Sequence, residues 1–354
     1  MVSGARGAFH AKLPRMRLRD VPLSLCAAVI LIVGCGHAPP HASSPTAANT
    51  NSVPRPAAWI SALDRDHPLV GKVWSVRAGT YVDDRTLLAA ASGAHFVLLG
   101  EKHDNADHHV LQAWVLSAIV ASGRAPAVAF EQLEADVQSA VNDARRESPH
   151  DVDAIARATN WSESGWPPWD TYRPIFAVAT SASLPVVAAN LAHRVARSLV
   201  HEGPSALNAA ERAAFGLDSP LPPELDASLR EELKATHCGM DMPPPFADGM
   251  VMAERARDAS LAAHMREGDG DTRRGAVLVA GTGHTRIDRG VPRELARIAP
   301  GETAVSIAFV EVSHADVDPR AYGAEWNAKE LPFDFVLFTP RANDDDPCAK
   351  MRAR

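Results

Sequence analysis

The sequence has few cysteines, few tyrosines, no excess of basic residues and no N-terminal apolar run long enough to cross a bilayer. Its 354 residues include four cysteines and three tyrosines, and the formal net charge is −7. Residues 1–34 carry four more basic than acidic side chains, so the rest of the chain stands at −11. A chain this acidic offers no basic patch for phosphates, which excludes nucleic acid as an expected partner. The apolar run from Val21 to Val33 is too short for a membrane-spanning helix.

The N-terminus has the pattern of an export signal. A basic segment precedes the apolar run, which ends in Ile32-Val33-Gly34-Cys35. This ending resembles the lipobox of bacterial lipoproteins, in which the cysteine becomes the lipidated first residue of the mature protein. An ordinary signal peptide with a chance cysteine is the alternative. We therefore expect a signal at residues 1–35, a lipid anchor on Cys35, and a location in the bacterial cell envelope, facing the periplasm or at the outer membrane.

A flexible tether is predicted to follow the anchor. Residues 36–58 are rich in Pro, Ala, Ser, Thr and His, a composition typical of disordered linkers. We place the tether at residues 36–69, one large domain at 70–340 and a C-terminal tail at 341–354. That domain is long enough for one large core, or for a core with an inserted subdomain.

Two cysteines remain after the N-terminal ones are assigned. Cys26 leaves with the signal and Cys35 carries the lipid, which leaves Cys238 and Cys348. In an exported chain two remaining cysteines more often form a disulfide than stay as free thiols, so we predict that they pair.

An apolar run that ends in Gly-x-x-His occurs twice, from Phe96 to His103 and from Ala276 to His284. Each copy predicts a buried strand followed by a histidine. The first strand leads into a helical pattern and a second strand at 127–130, the order of a βαβ unit with a parallel strand pair. We predict an α/β fold whose mostly parallel central sheet has about six strands flanked by helices. A largely helical insertion at about 191–274 is expected to cap the carboxyl ends of the strands.

Polar side chains follow four of the predicted strands. Ligands of open α/β sheets collect at the carboxyl ends of the strands, so we expect these side chains to meet in one crevice. Two carboxylates with two imidazoles suit either a divalent metal site or general acid and base catalysis. The alternative is that one or two of them only cap helices. The residues are Glu101 and His103, Glu131, Asn190, and His284.

Three further groups are candidates for the same crevice. His108 and His109 begin the helix after the first histidine, where a plain polar first turn is the alternative. Trp166 and Trp169 belong to a segment with three tryptophans within nine residues, which suits either a flat wall for a planar ligand or ordinary core packing. Asp258 stands on an Ala-rich helix, where an exposed ion pair is the alternative to a place in the crevice.

Taken together, these motifs resemble the ChaN-like haem-binding lipoproteins, a family of the Tiki superfamily that stands beside erythromycin esterases and TraB-type proteins. The resemblance covers roughly residues 70–340 and implies an α/β fold with a helical insertion, haem as cofactor, and a role in haem or iron uptake. In chain order the motifs are Leu98 to Asn105, His108-His109-x-x-Gln112, Phe130-Glu131, Trp166 to Pro174, Asn190, Arg257-Asp258, and Gly281-Thr282-Gly283-His284.

The resemblance also implies a haem site. Tyr172 matches a Tyr-x-Pro stretch of the family and is expected to bind the haem iron through its phenol oxygen. The expected partners are haem, the bacterial membrane through the lipid anchor, and a second copy of the chain in a homodimer. The remaining residues expected to contribute to the haem site are Trp166, Trp169, His108, His109, Asn190 and Asp258.

The same superfamily suggests a rival function. Its enzymes carry out hydrolytic chemistry at the Gly-x-x-His turns and the strand-end glutamates. A haem carrier needs one or two axial ligands and an apolar slot, and has no need of two carboxylates. The alternative is therefore a metal-dependent hydrolase, an esterase or a protease, that uses Glu101, His103, Glu131 and His284.

Overall fold

Eight strands form one mixed sheet in the computed structural model, which describes residues 53–271, 273–346 and 348–349. The strand order is β2-β1-β8-β7-β3-β6-β4-β5. From β8 to β5 in this order, all neighbouring strands are parallel. Strand β1 is antiparallel to both β2 and β8. The strands are β1 (Val73–Ser75), β2 (Thr80–Val82), β3 (Phe96–Glu101), β4 (Ala127–Glu134), β5 (Val186–Asn190), β6 (Ala276–Gly281), β7 (Ala304–Glu311) and β8 (Phe335–Thr339).

The α/β fold with a mostly parallel sheet is confirmed, but the sheet has two more strands than the predicted six. The extra strands are the hairpin β1-β2, whose Val73 pairs with Leu337 at the far end of the chain. This pairing adds the hairpin to the edge of the main sheet, a long-range contact that the local pattern of a hairpin does not encode.

The described residues form eleven α-helices, with short 3-10 helices at Ala135–Val137, Trp161–Glu163, Gly203–Ala206 and Pro319–Trp326. None of the described helices combines the length and the apolar character of a membrane span. The α-helices are α1 (Asp84–Gly93), α2 (Ala106–Ala121), α3 (Gln138–Glu147), α4 (Asp153–Ala158), α5 (Trp169–Ser181), α6 (His193–Glu202), α7 (Ala209–Ala214), α8 (Pro223–Thr236), α9 (Pro244–Asp269), α10 (Thr282–Thr285) and α11 (Val291–Ile298).

The two faces of the sheet have separate hydrophobic cores. Because successive side chains of a strand point to opposite faces, β3 sends Val97 and Leu99 to one core and Phe96 and Leu98 to the other. Helices α1, α2 and α5 cover the first face, and α11 with the second half of α9 covers the other. Burial on both faces explains why β3, β4 and β6 read as continuous apolar runs.

The predicted insertion corresponds to helices α6 to α9, and it does more than cap the strand ends. Leu261, Ala262 and Met265 of α9 pack into the second core, so the end of this helix is part of the layer that covers the sheet. Only the earlier part of α9 reaches the strand ends, where Asp258 lies. Cys238, just after α8, forms a disulfide with Cys348 of the C-terminal tail.

Residues 53–69, which we expected to belong to the tether, pack against the domain. The Asp107 carboxylate accepts hydrogen bonds from the backbone N–H groups of Ile60 and Ser61, at 2.7 and 2.8 Å. Trp114 donates its indole N–H to the carbonyl of Val53 at 2.8 Å. Leu63 forms a β-bridge with Arg341, so the start of the tail is also tied to the domain. The predicted signal, the Cys35 anchor and residues 36–52 of the tether lie outside the described residues.

Candidate functional site

The strand ends meet as the sequence predicts, and a glycine makes the close approach possible. A Cβ atom on Gly100 would lie 2.3 Å from Oγ1 of Thr285 and 3.2 Å from Cα of Thr282. Only glycine therefore lets α10, which follows β6, cross directly over the end of β3. This contact brings the two Gly-x-x-His turns together.

The Glu101 carboxylate at the end of β3 is fully buried and is surrounded by donors. Its Oε1 accepts hydrogen bonds from the Tyr172 hydroxyl at 2.7 Å, from Gln132 at 2.9 Å and from Nδ1 of His103 at 2.9 Å. Its Oε2 accepts from Gln112 at 2.7 Å and lies 3.1 Å from Nδ1 of His109. Both oxygens of this carboxylate are thus engaged by residues of β4, α2, α5 and the loop after β3.

Charge on two histidines keeps Glu101 ionised. Burial alone would raise the pKa of Glu101, but the cationic His109 and the hydrogen bond from His103 hold it well below its usual range. Both ring nitrogens of His109 face acceptors, since Nε2 lies 3.0 Å from the carbonyl of His103. An imidazole that faces only acceptors carries both protons, and although burial lowers the pKa of His109, Glu101 raises it overall.

His103 is the exposed member of this network, with 38% of its side chain accessible. Burial lowers the pKa of His103, but the hydrogen bond to Glu101 and the charge of Glu131 raise it to about 9. Its ring packs edge-on against Trp166, with centroids 4.9 Å apart. A Cβ atom on Gly281 would lie 3.0 Å from both Cε1 and Nε2 of the ring, so the ring packs closely against this glycine.

A second acidic cluster lies at the ends of β4 and β6, on the other side of Gly281. Glu131 accepts the backbone N–H of Gly281 at 2.7 Å, and its other oxygen lies 3.4 Å from Nε2 of His284. Nδ1 of His284 is bonded to Asp258 at 2.7 Å, and Glu254 lies 3.6 Å from the same nitrogen. Glu131, His284 and Asp258 are all buried.

The electrostatics of this cluster follow from a buried cation among carboxylates. Burial lowers the pKa of His284, but Glu254 and Glu131 raise it well above the usual value. Burial raises the pKa of Glu131, and the charges of His284 and His103 lower it to about 2. Burial raises the pKa of Asp258 to about 7, against the pull of His284. The cluster therefore holds a group poised to exchange a proton near neutral pH.

Tyr172, the expected iron ligand, lies in the hydrophobic core beside Glu101. Its side chain is fully buried on α5, and its hydroxyl donates to Glu101. Burial and the charge of Glu101 raise the pKa of Tyr172 far above the ordinary phenol value, so the phenol keeps its proton. Tyr172 shares a helical stripe with Ile175, Phe176 and Ala179, the spacing of a core-facing side. That spacing is the signal in the sequence that indicates burial.

His108 is also turned away from both clusters. Its Nδ1 accepts the backbone N–H of Lys102 at 2.9 Å, and its Nε2 lies 2.9 Å from Oγ1 of Thr339. Burial holds the pKa of His108 well below its usual value, so this imidazole is neutral. Asn190 ends β5, where it pairs in register with Glu134, and its Oδ1 accepts no hydrogen bond from the described residues.

The tryptophan segment lines a cavity of about 660 Å³, a size within the usual range of small-molecule sites. Trp166 and Trp169 are half-buried in its wall, whereas Trp161 is almost fully buried. The indole N–H of Trp161 donates to the carbonyl of Pro167, and that of Trp169 donates to Asp153. Arg157, ion-paired with Asp151, supplies positive charge at the rim.

Gln132 was not among the predicted site residues. It directly follows Glu131 inside β4 and points to the opposite face of the strand, from where it reaches Glu101. A polar pair inside an otherwise apolar strand is the signal that could have indicated it. Among the described residues, no group of three or more His, Cys, Asp or Glu side chains has the arrangement of a metal site, so the divalent metal expected for a hydrolase finds no support.

Comparison with known proteins identifies the family. The family described as haem-binding uptake, Tiki superfamily, ChaN matches residues 87–295. No curated protein matches the chain. The structure of cofacial heme binding to ChaN of Campylobacter jejuni is similar with a TM-score of 0.57 at 18% identity, and the match covers 75% of this chain and 95% of that one. An erythromycin esterase mutant in its open conformation gives a TM-score of 0.43 at 13% identity, covering 74% and 94% of the two chains. The family match spans more than half of the chain, and the protein therefore belongs to the ChaN haem-binding family of the Tiki superfamily.

Proposed function

We propose that this protein is a lipid-anchored haem-binding protein of the bacterial cell envelope that serves haem or iron uptake. The observation that carries haem binding, beside family membership, is the cavity walled by Trp166 and Trp169. Half-buried indole rings offer an apolar surface to a planar macrocycle. Arg157 at the rim offers a cation to a haem propionate.

Titration of the purified domain with haemin, followed at the Soret band, tests this proposal. We expect saturable binding to the wild-type protein and weaker binding to Trp166→Ala. Trp59→Ala, which removes a tryptophan outside this cavity, is the matched control and should bind like the wild type. Absence of a saturable spectral change in the wild-type protein would overturn the proposal.

Anchoring and location rest on the N-terminal sequence. The lipobox-like Ile32-Val33-Gly34-Cys35 motif supports lipidation at Cys35 and attachment to a membrane. Metabolic labelling with a radioactive fatty acid, followed by fractionation of the cells, tests both. The wild-type protein should carry the label and sediment with membranes, and Cys35→Ser should do neither.

The cluster around His284 favours a second candidate function, hydrolysis of an ester or a peptide. His284 lies between Glu131 and Asp258, and Glu131 accepts only one short hydrogen bond from the described residues, so it keeps the capacity to accept a proton. Glu101, His103, Glu131 and His284 are the residues of this mechanism. A substrate screen with and without divalent metal ions tests it: turnover should appear and be lost in Glu131→Gln. A wild-type protein that turns over no substrate contradicts it.

A further inference from the structure

A second cavity lies between the loop after α7, helix α9 and helix α11. Its volume is about 540 Å³, which is within the usual range of small-molecule sites. Three arginines line it, Arg255 from α9 and Arg293 and Arg297 from α11. None of its described lining residues belongs to the Glu101 cluster or to the His284 cluster. Neither haem binding nor hydrolysis at the strand ends accounts for this cavity.

The cavity carries more positive than negative charge, although the chain as a whole is acidic. Both of its carboxylates are engaged by arginines. Asp288 is bonded at its two oxygens to a buried arginine outside the cavity, at 3.0 and 2.7 Å, and Glu294 accepts from Arg297 at 2.7 Å. Within the described part of the chain, neither Arg255 nor Arg293 is paired with a carboxylate. Two guanidinium groups of the cavity are thus left without a counter-charge.

The Arg255 guanidinium is held in place by the protein backbone. Its Nη2 donates to the carbonyls of Gly216 and Ser219, at 2.8 and 2.6 Å. Its Nε and Nη1 donate to no acceptor among the described residues, so these N–H groups remain available to a ligand. Because the side chain is already fixed, it loses little conformational entropy when a ligand binds.

Arg293 lies close enough to Arg255 for the two charges to repel each other. Burial lowers the pKa of Arg255, Glu294 opposes this effect, and the charge of Arg293 lowers the pKa further. Both guanidinium groups nevertheless keep their protons, as arginines in proteins do. A bound anion beside them would relieve this repulsion, because it attracts both cations.

The rest of the cavity wall includes apolar side chains. Ile287 is 44% exposed and is one of the few large apolar residues at the surface of the described chain. Pro220, Pro292 and Ala296 line the same cavity. An apolar wall next to fixed cationic donors suits a ligand that has a charged head group and an apolar body.

We propose that this cavity binds a small organic anion whose carboxylate or phosphate group is held by Arg255 and Arg293 and whose apolar part packs against Ile287. Guanidinium groups bind both kinds of head group through charge-assisted hydrogen bonds. The site goes beyond the proposed haem binding and does not depend on it.

Isothermal titration calorimetry of the purified protein with four small probes tests the proposal. Phenyl phosphate and benzoate carry an anionic group on an apolar ring, inorganic phosphate lacks the ring, and phenol lacks the anionic group. We expect saturable binding of phenyl phosphate or benzoate, weaker binding of inorganic phosphate and none of phenol. The tighter of the two aromatic anions identifies the head group.

Three arginine variants locate the binding. Arg293→Ala removes an exposed side chain without a carboxylate partner and should weaken binding of the aromatic anion by about 10–100-fold, the loss expected for a hydrogen-bonded contact between charged groups. Arg255→Lys keeps the charge but not the fixed fork of donors, and should weaken binding as well. Arg85→Ala removes an exposed arginine of α1 and is the matched control, which should bind like the wild type.

Two results would overturn the site. One is the absence of saturable binding of both aromatic anions to the wild-type protein, and the other is binding that Arg293→Ala and Arg255→Lys leave unchanged. Equal affinities for phenyl phosphate and inorganic phosphate would overturn the contact with Ile287. Because none of these titrations contains haem, their failure leaves the proposed haem binding untouched.

Discussion

Glu101 and Glu131 stand at the ends of two strands that flank β6, and their surroundings differ. Glu101 accepts three hydrogen bonds of 2.7 to 2.9 Å on one oxygen and two contacts of 2.7 and 3.1 Å on the other. Glu131 accepts one short bond, from the N–H of Gly281, and a longer contact from His284. Both are buried and both have pKa values below the usual range because histidines lie beside them.

The difference separates two tasks at one edge of the sheet. A carboxylate whose lone pairs are all engaged can hold its neighbours but cannot accept a ligand. Glu101 therefore fixes His103, whereas Glu131 keeps capacity for a proton or a bound group. The sequence shows the two glutamates as equivalent strand-end residues, and only their partners distinguish them.

Removal of the two carboxylates should give unequal losses of stability. Glu101→Ala leaves a buried imidazolium, two amides and a hydroxyl without their acceptor, and should lower the free energy of unfolding by about 3–5 kcal/mol. Glu131→Ala should cost about 1–3 kcal/mol, because His284 keeps Asp258. Urea unfolding measures both, with the exposed Glu163→Ala as control. Equal losses for the two variants would remove the distinction.

Loss of a single donor to Glu101 should have a smaller effect. Tyr172→Phe removes a hydrogen bond to a charged group and should cost about 1.5–3 kcal/mol. Tyr81→Phe, at a site that is 45% exposed, should change the free energy of unfolding by less than about 0.5 kcal/mol. If the two phenylalanine variants unfold at the same urea concentration, the Tyr172 hydroxyl does not support Glu101.

A methyl group between the two clusters should disturb the His103 side. Gly281→Ala places Cβ 3.0 Å from the His103 ring, so the ring must move, at a cost of about 1–3 kcal/mol. Urea unfolding measures this loss of stability. Gly93→Ala, where a Cβ meets nothing within 4 Å, is the matched control. If Gly281→Ala is as stable as Gly93→Ala, the His103 ring does not pack closely against Gly281.

The smallest expected effect is a dependence of stability on pH. The pKa of His103 is about 9 in the folded protein and near 6.5 in the unfolded chain. Its contribution to the free energy of unfolding is therefore complete below about pH 6.5 and is lost as the pH rises through 9. With solvent screening of a side chain that is 38% exposed, we expect a loss of about 1 kcal/mol. The pKa values of His109 and His284 are raised as well. The difference in free energy of unfolding between the wild type and His103→Gln therefore isolates the contribution of His103. If the free energy of unfolding depends on pH in the same way in both proteins, the pKa of His103 is not raised.

The sequence predicts which residues lie at this edge of the sheet better than it predicts the contacts between them. Apolar runs that end in Gly-x-x-His locate Glu101, His103 and His284 at strand ends, because carboxyl ends of parallel strands share one edge. The sequence indicates that the Tyr172 side chain is buried only when its helical spacing with Phe176 is considered. It does not show that the hairpin β1-β2 joins β8, since that pairing links residues more than 250 positions apart.

NMR titration of the His103 ring protons tests the central claim that Glu101 fixes His103 through a hydrogen bond. Although burial lowers the pKa of His103, the hydrogen bond to Glu101 and the charge of Glu131 raise it to about 9 in the wild-type protein, and the titration should reproduce this raised pKa. Glu101→Gln should lower this pKa toward the ordinary histidine value, and Glu131→Gln should lower it less. An ordinary histidine pKa in the wild-type protein, or an equal shift in the two variants, would contradict the account.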